Sequence, residues 1–145
     1  MPTAHPTPLR FPRLLLTGAA GGLGKELRAR LKAYCDVLRL SDIAELGQAG
    51  PGEEIMPAAL EDKKAVDALL KGVDAVVHLG GISTEHAFEE ILPANILGTY
   101  HVYEGARRHG ARRIVFASSN HVTGFYRQDE VIGTELPMRP DAYYG

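Results

Sequence analysis

The stretch Arg13-Leu14-Leu15-Leu16-Thr17-Gly18-Ala19-Ala20-Gly21-Gly22-Leu23-Gly24 decides how the rest of the chain is read. Its first half is apolar without alternation, which predicts a strand over 13–17 buried on both faces. Its second half places Gly18, Gly21 and Gly24 three apart, and Leu27 and Leu31 then mark a helix over 25–33. Glycine is needed where a chain turns tightly out of a strand, where backbone must come close to a ligand, and where a helix packs on the strand before it. The helix N-terminus behind such a turn presents unpaired N–H groups and partial positive charge to a phosphate. Strand, glycine turn and helix in this order suit a dinucleotide. Gly18, Gly21, Gly22, Leu23 and Gly24 are the candidate phosphate contacts.

Outward from this turn the same alternation continues. A second strand over 37–40 ends at Ser41-Asp42, and Asp42 lies 18 residues beyond Gly24. A carboxylate there can accept hydrogen bonds from ribose hydroxyls and would repel a 2′-phosphate. No Arg or Lys follows it at once, so the reading is NAD rather than NADP. The alternative is that Asp42 only caps the loop behind it. A weak third strand over 54–56 follows a loop with Gly47, Gly50, Pro51 and Gly52. Asp62 opens a helix over 62–70 with Val66, Leu69 and Leu70 on one face, and Gly72 stops it. A fourth strand over 74–79 closes at Gly80-Gly81. A helix over 88–109 is interrupted near Pro93 and ended by Gly110. A fifth strand over 113–117 leads into Ser118-Ser119-Asn120-His121, and the remainder is loop-rich. Non-alternating strands separated by helices predict an α/β fold: a doubly wound, mostly parallel Rossmann-type sheet. Its ligand crevice lies at the carboxyl ends of the strands, where all these motifs fall.

The sequence has 145 residues, 45% apolar and 23% charged, with a formal net charge of -2. That balance suits one soluble domain and gives no basic excess for nucleic acid. Arg107-Arg108 and Arg112-Arg113 read as solvated helix ends. Cys35 is the single cysteine, which excludes an internal disulfide and suits a cytoplasmic setting. Residues 1–12 carry Pro2, Pro6, Pro8 and Pro12 and no apolar run, so they read as a disordered extension rather than a signal peptide. The dinucleotide-binding domain is then 13–145. No apolar run approaches the roughly 18 residues of a membrane span. His78 falls inside the fourth strand and reads as a core residue. His101 and His109 lie on the long helix without a matching carboxylate, so no metal site is expected.

Thr17-Gly18-x-x-Gly21-x-x-Gly24, His78-Leu79-Gly80-Gly81, Asn95-x-x-Gly98-Thr99, Ser118-Ser119 and Tyr144-Gly145 together resemble the extended short-chain dehydrogenase/reductase superfamily. Gly80-Gly81-Ile82-Ser83 and Ser118-Ser119-Asn120-His121 are most similar to its uronate-oxidising branch. The resemblance implies NAD-dependent oxidation of a hexuronic acid, D-glucuronate or D-galacturonate, at C1 to the aldarolactone. It implies Tyr144 as the base of a Tyr-x-x-x-Lys motif, with Tyr143 the less favoured register, and Ser119 as the group that orients the reacting hydroxyl. Ser83, Ser119, Asn120 and His121 would contact the sugar acid. Leu60, Leu79, Gly80, Gly81, Asn95 and Tyr144 would join the glycine turn and Asp42 around NAD, with Asn95 as a brace. Many relatives carry Asp where this chain has Ala59, which removes a contact to the adenine amine. The superfamily often dimerises, so a homo-oligomer is implied. A nucleotide-sugar epimerase or dehydratase, another sugar 1-dehydrogenase, and a non-catalytic NAD-binding domain stay open as alternatives.

A free tyrosine, with a pKa of about 10, is a poor base at neutral pH. A lysine ammonium and the oxidised nicotinamide would stabilise its phenolate. The 145 residues end at Gly145; the resemblance implies a lysine three residues further on, then a sixth strand and an Arg that would clamp the uronate carboxylate. The 145 residues alone are therefore expected to turn over no substrate appreciably, and to leave apolar surface uncovered at the fifth strand. Robust NAD reduction by the purified 145-residue chain would overturn that expectation.

Overall fold

Leu14, Leu15 and Leu16 are at most 3% exposed, and the strand that carries them, β1 (Phe11–Thr17), is the middle of a five-stranded parallel sheet. The computed structural model describes residues 9–145. After β1 come α1 (Gly22–Leu31), β2 (Cys35–Ser41), β3 (Glu53–Ile55), α2 (Lys63–Leu70) and β4 (Ala75–His78). They are followed by α3 (Phe88–Ile91), α4 (Gly98–His109) and β5 (Arg113–Phe116). The strand order is β3-β2-β1-β4-β5. The chain winds outward from β1 to β3, then crosses to the other side of β1 for β4 and β5. That reversal between β1 and β4 opens a crevice at their carboxyl ends. Thr17 pairs in register with Ser41 on one side and His78 on the other, and His78 pairs with Phe116. The four strand ends are therefore level, and the residues after them share one rim.

The apolar runs work because successive side chains point to opposite faces. Leu15 and Val76 meet Val66, Leu69 and Leu70 of α2 and Val102 and Ala106 of α4. Leu14, Leu16, Leu38 and Leu40 face the other way, with Leu27 and Leu31 of α1 packed against them. Both faces are covered, as the doubly wound reading requires. Gly105 lets α4 close on α2, since a methyl group there would stand 2.5 Å from Leu70 Cδ1. Val115 and Phe116 on the edge strand β5 remain 55% and 45% exposed, the apolar surface expected there.

Several boundaries differ from the sequence reading. β1 begins at Phe11, so Phe11 and Pro12 belong to the sheet rather than to an N-terminal extension; residues 1–8 of that extension lie outside the described residues. Phe11 is 7% exposed and pairs with Cys35, which explains its recruitment. α1 starts at Gly22 inside the glycine turn, and a 3₁₀ turn (Lys32–Tyr34) replaces its expected end. Asp62 caps α2 as predicted, accepting from Lys64 N (2.9 Å) and Ala65 N (3.1 Å). The helix over 88–109 does change near Pro93, where its α-helical form stops at Ile91. It widens into a π segment (Leu92–Leu97) and continues into α4. Proline has no N–H to donate, and a wider turn absorbs the missing bond without a break. Arg107 pairs with Glu104 and Arg108 with Asp67 at the end of α4.

The short strand β3 is held by charge rather than by length. Glu53, with a side chain 2% exposed, meets Arg28 of α1 at 2.7 Å and Lys32 at 2.8 Å, and accepts Gly50 N at 2.7 Å. The Arg28 guanidinium, helped by Lys32 and Gly50 against burial, holds the Glu53 carboxyl at about 2. A depressed carboxyl contributes stability above its unfolded value of 4.5, and that contribution decays as pH falls toward about 2. Glu53→Gln should lower unfolding stability at neutral pH by about 2 kcal/mol. It should also flatten the loss of stability between pH 4.5 and about 2, read by urea melts across that range.

Candidate active site

The level strand ends frame one cleft of about 930 Å³. It runs from the β2 end, past the glycine turn, to the segment after β5. Gly18 leaves β1 with φ +69, and a methyl group there would lie 2.8 Å from Gly80 N and Leu79 C. Only glycine allows both the left-handed backbone and this contact. At Gly24 a methyl group would run into the Gly18 carbonyl, so Gly24 is what lets α1 seat on the end of β1. Gly21 precedes α1 without any side-chain cap. Among the described residues the N–H groups of Gly22, Leu23 and Gly24 have no protein acceptor. A helix start with free amides, lining a cleft, can accept an anion such as a diphosphate.

Asp42 does more than one thing. Its carboxylate accepts Ala20 N at 2.9 Å and Ala44 N at 3.0 Å. It thus caps its own loop and ties that loop to the glycine turn, while still lining the cleft. Each oxygen keeps a lone pair for a ribose hydroxyl. Ile43, next to it, lines the same end although it is 82% exposed, a flat apolar contact for a base. The signal in the sequence was an apolar residue directly after the strand-end acid. On the other side Leu60 lines the cleft, as do Ala58 and Glu61. Gly98 lets the π segment approach Leu60, whose Cβ would be 2.6 Å from a methyl group there, and His101 Nδ1 meets the Leu60 carbonyl at 2.9 Å.

Beneath the cleft, His78 is fully buried and lies 2.7 Å through Nδ1 from Thr17 Oγ1, which also accepts Gly80 N at 3.1 Å. Thr17 Oγ1 and His78 Nδ1 share a hydrogen bond, and Nε2 on the other side of the ring lies 3.5 Å from Thr99 Oγ1. Burial pulls His78 down to about 4, so the ring is neutral at pH 7. It is a core residue, as read from its place in the strand. The partnership with Thr17 and Thr99 was not legible, because it joins residues 61 and 21 positions away.

Leu79, Gly80, Gly81, Ser83, Asn95, Ser119 and Tyr144 all line the cleft. Asn95 sits in the π segment and clasps Ile82, accepting its N–H at 2.8 Å and donating to its carbonyl at 2.9 Å. That clasp sets the backbone on either side of Ile82, between Gly81 and Ser83. Asn120 and His121 do not line the cleft. They open a 3₁₀ turn (Asn120–Thr123) capped by Ser119, whose hydroxyl accepts His121 N at 3.1 Å. The His121 ring turns onto Asp141, at 2.9 Å to the nearer oxygen, and packs edge-on against the Tyr144 ring at 5.5 Å between centroids. Tyr143 also reaches the cleft, and Glu85 accepts from the Tyr143 and Tyr144 amides. Neither Glu85 nor Asp141 carried a motif signal. Among the described residues no three His, Cys, Asp or Glu side chains gather as a metal site, and no helix is long and apolar enough to cross a membrane.

Free amides at α1, a turn with no room for a Cβ at Gly18 or Gly24 and a carboxylate at the β2 end define a dinucleotide fold of the dehydrogenase and epimerase type. Residues 14–145 match the NAD dependent epimerase/dehydratase family, and the chain belongs to it. It is 65% identical over 136 residues to a uronate dehydrogenase of Pseudomonas putida, covering 93% of this chain and 51% of that protein. It is 60% identical over 146 residues to one of Pseudomonas syringae pv. tomato, covering 100% and 53%. It superposes with a TM-score of 0.88 on a uronate dehydrogenase from Agrobacterium tumefaciens, a tyrosine-to-alanine mutant complexed with NAD. That match is 53% identical and covers 91% of this chain and 50% of that one. The chain spans about half the length of the curated relatives it matches. Family and neighbours indicate NAD as the cofactor, and the glycine turn and Asp42 fit it.

Gly18→Ala should lose NAD affinity by at least about tenfold, because the added methyl forces either the turn or the Leu79-Gly80 backbone to move. Calorimetric titration with NAD checks this, and unchanged affinity would show that the close approach is not needed for binding.

Proposed function

We propose that this chain is the cofactor-binding half of an enzyme that oxidises a hexuronic acid, D-glucuronate or D-galacturonate, at C1 to the aldarolactone. The observation that carries the reading is that Ser83, Ser119 and Tyr144, from three separate segments, open into the same cleft as the glycine turn and Gly80-Gly81. The identity to uronate dehydrogenases over nearly the whole chain supports it.

Bound NAD supplies the hydride acceptor. The free amides of α1 would hold its diphosphate, Asp42 its ribose, and Leu60 and Ile43 would flank its base. Tyr144 takes the proton from the sugar 1-hydroxyl as C1 gives up its hydride, so one proton and one hydride leave and the lactone carbonyl forms. Ser119 hydrogen-bonds that hydroxyl and fixes it against Tyr144. Ser83 faces the sugar from the β4 side. Asn120 and His121 contribute at the rim, a role favoured by the packing of His121 against Tyr144. Asn95 supports the floor through Ile82. A cytoplasmic setting and a homo-oligomer belong to the same reading; the exposed Tyr100 and Tyr103 on α4 favour the second.

The test is to incubate the whole protein with NAD and each hexuronate and to follow NADH. Reduction with a hexuronate is expected, and NADP should serve poorly. Tyr144→Phe should lower kcat by about 10³-fold with NAD binding retained. No NADH with either uronate would sink the reading.

A further inference from the structure

We propose that Glu85 is a positioning residue that aims Tyr144 by holding its backbone. The inference rests on the reading of Tyr144 as the base and deepens it. Glu85 lies two residues beyond Ser83, on the loop between β4 and α3. Its carboxylate accepts Tyr143 N through Oε1 at 3.3 Å and Tyr144 N through Oε2 at 2.8 Å. These residues are 58 and 59 positions away, so the contact is a deliberate bridge between distant segments rather than a local turn. The Tyr143 ring packs on Phe88 at 5.3 Å, which fastens the same two segments a second time.

Two divergent oxygens on two consecutive amides fix the peptide between Tyr143 and Tyr144. The Cα–Cβ direction of Tyr144 follows from that peptide. From the other side the His121 ring stands edge-on to the Tyr144 ring, itself held by Asp141. Tyr144, which lines the cleft, thus has its backbone clamped by Glu85 and its ring braced by His121. A carboxylate suits the first task because its bonds to N–H are charge-assisted and both oxygens accept. Glutamine keeps one acceptor, and alanine keeps none. Since Ser83 shares the loop, the same clamp sets the distance between the sugar-facing serine and the base.

The experiment is steady-state kinetics on the whole protein with NAD and the hexuronate that the wild type accepts. Glu85→Ala should lower kcat by roughly 10- to 100-fold, the scale of a misplaced catalytic group, with the Kd for NAD within about twofold of wild type. Glu85→Gln, which keeps one acceptor, should lose less, roughly fivefold in kcat. In a Tyr144→Phe background, Glu85→Ala should have little further effect on kcat, because the two act through one group. Unchanged kcat in both Glu85 variants overturns the proposal, as does a fall in kcat matched by an equal fall in NAD affinity, which would mean that Glu85 supports the fold. If Glu85→Ala does not fold, the Gln variant decides alone: a roughly fivefold loss in kcat with NAD affinity kept supports the clamp, and no loss overturns it. If the wild type reduces NAD with another sugar and no hexuronate, the substrate reading fails and the same comparison on that sugar still judges Glu85. A whole protein that reduces NAD with no sugar overturns both.

Discussion

A methyl group on Gly18 would come within 2.8 Å of the backbone of Leu79 and Gly80, and the arrangement of the cleft depends on this contact between the ends of β1 and β4. It places the glycine turn against the strand whose continuation carries Ser83. It also brings Gly80 N within reach of the Thr17 hydroxyl, which locks the crossing from beneath through His78. In a parallel sheet the crevice opens where the order of strands reverses. Here that reversal falls at the same pair of strands, so the tightest backbone approach and the ligand crevice are one feature.

Around this centre the protein uses polar bridges between segments that sequence separates. Asp42 ties the β2 end to the glycine turn, Asn95 ties the π segment to Ile82, and Glu85 ties the β4 loop to Tyr144. Each bridge is a side chain that satisfies backbone amides which a rim, lacking a neighbouring strand, would otherwise leave open. The apolar core below supplies stability, and the bridges supply shape. Glu53 performs a comparable task away from the cleft, where β3 is too short to be held by its ladder alone.

The long helix shows how a local rule sets where a change falls but not the form it takes. Pro93 does remove a hydrogen bond, as its chemistry requires. The chain answers by widening the helix rather than breaking it, because residues on both sides are anchored: Ile91 and Val102 are buried. The widened turn holds Asn95 opposite Ile82. Beyond Ser119 the chain enters a 3₁₀ turn that the Ser119 hydroxyl caps, and this turn sets the His121 ring edge-on to Tyr144.

What the sequence determined by itself was everything set by spacing over a few residues. The apolar runs gave the strands, Asp62 and Gly72 the limits of α2, the glycine triad the tight turn between β1 and α1, and their order the doubly wound sheet. These rest on backbone preferences and on side-chain periodicity, which act locally. Only the tertiary structure decided which partners meet across long separations: Thr17 with His78, Glu53 with Arg28, Glu85 with Tyr144. Such contacts depend on strand register and loop paths, and a carboxylate or hydroxyl reads the same in sequence whether it faces water or a distant amide.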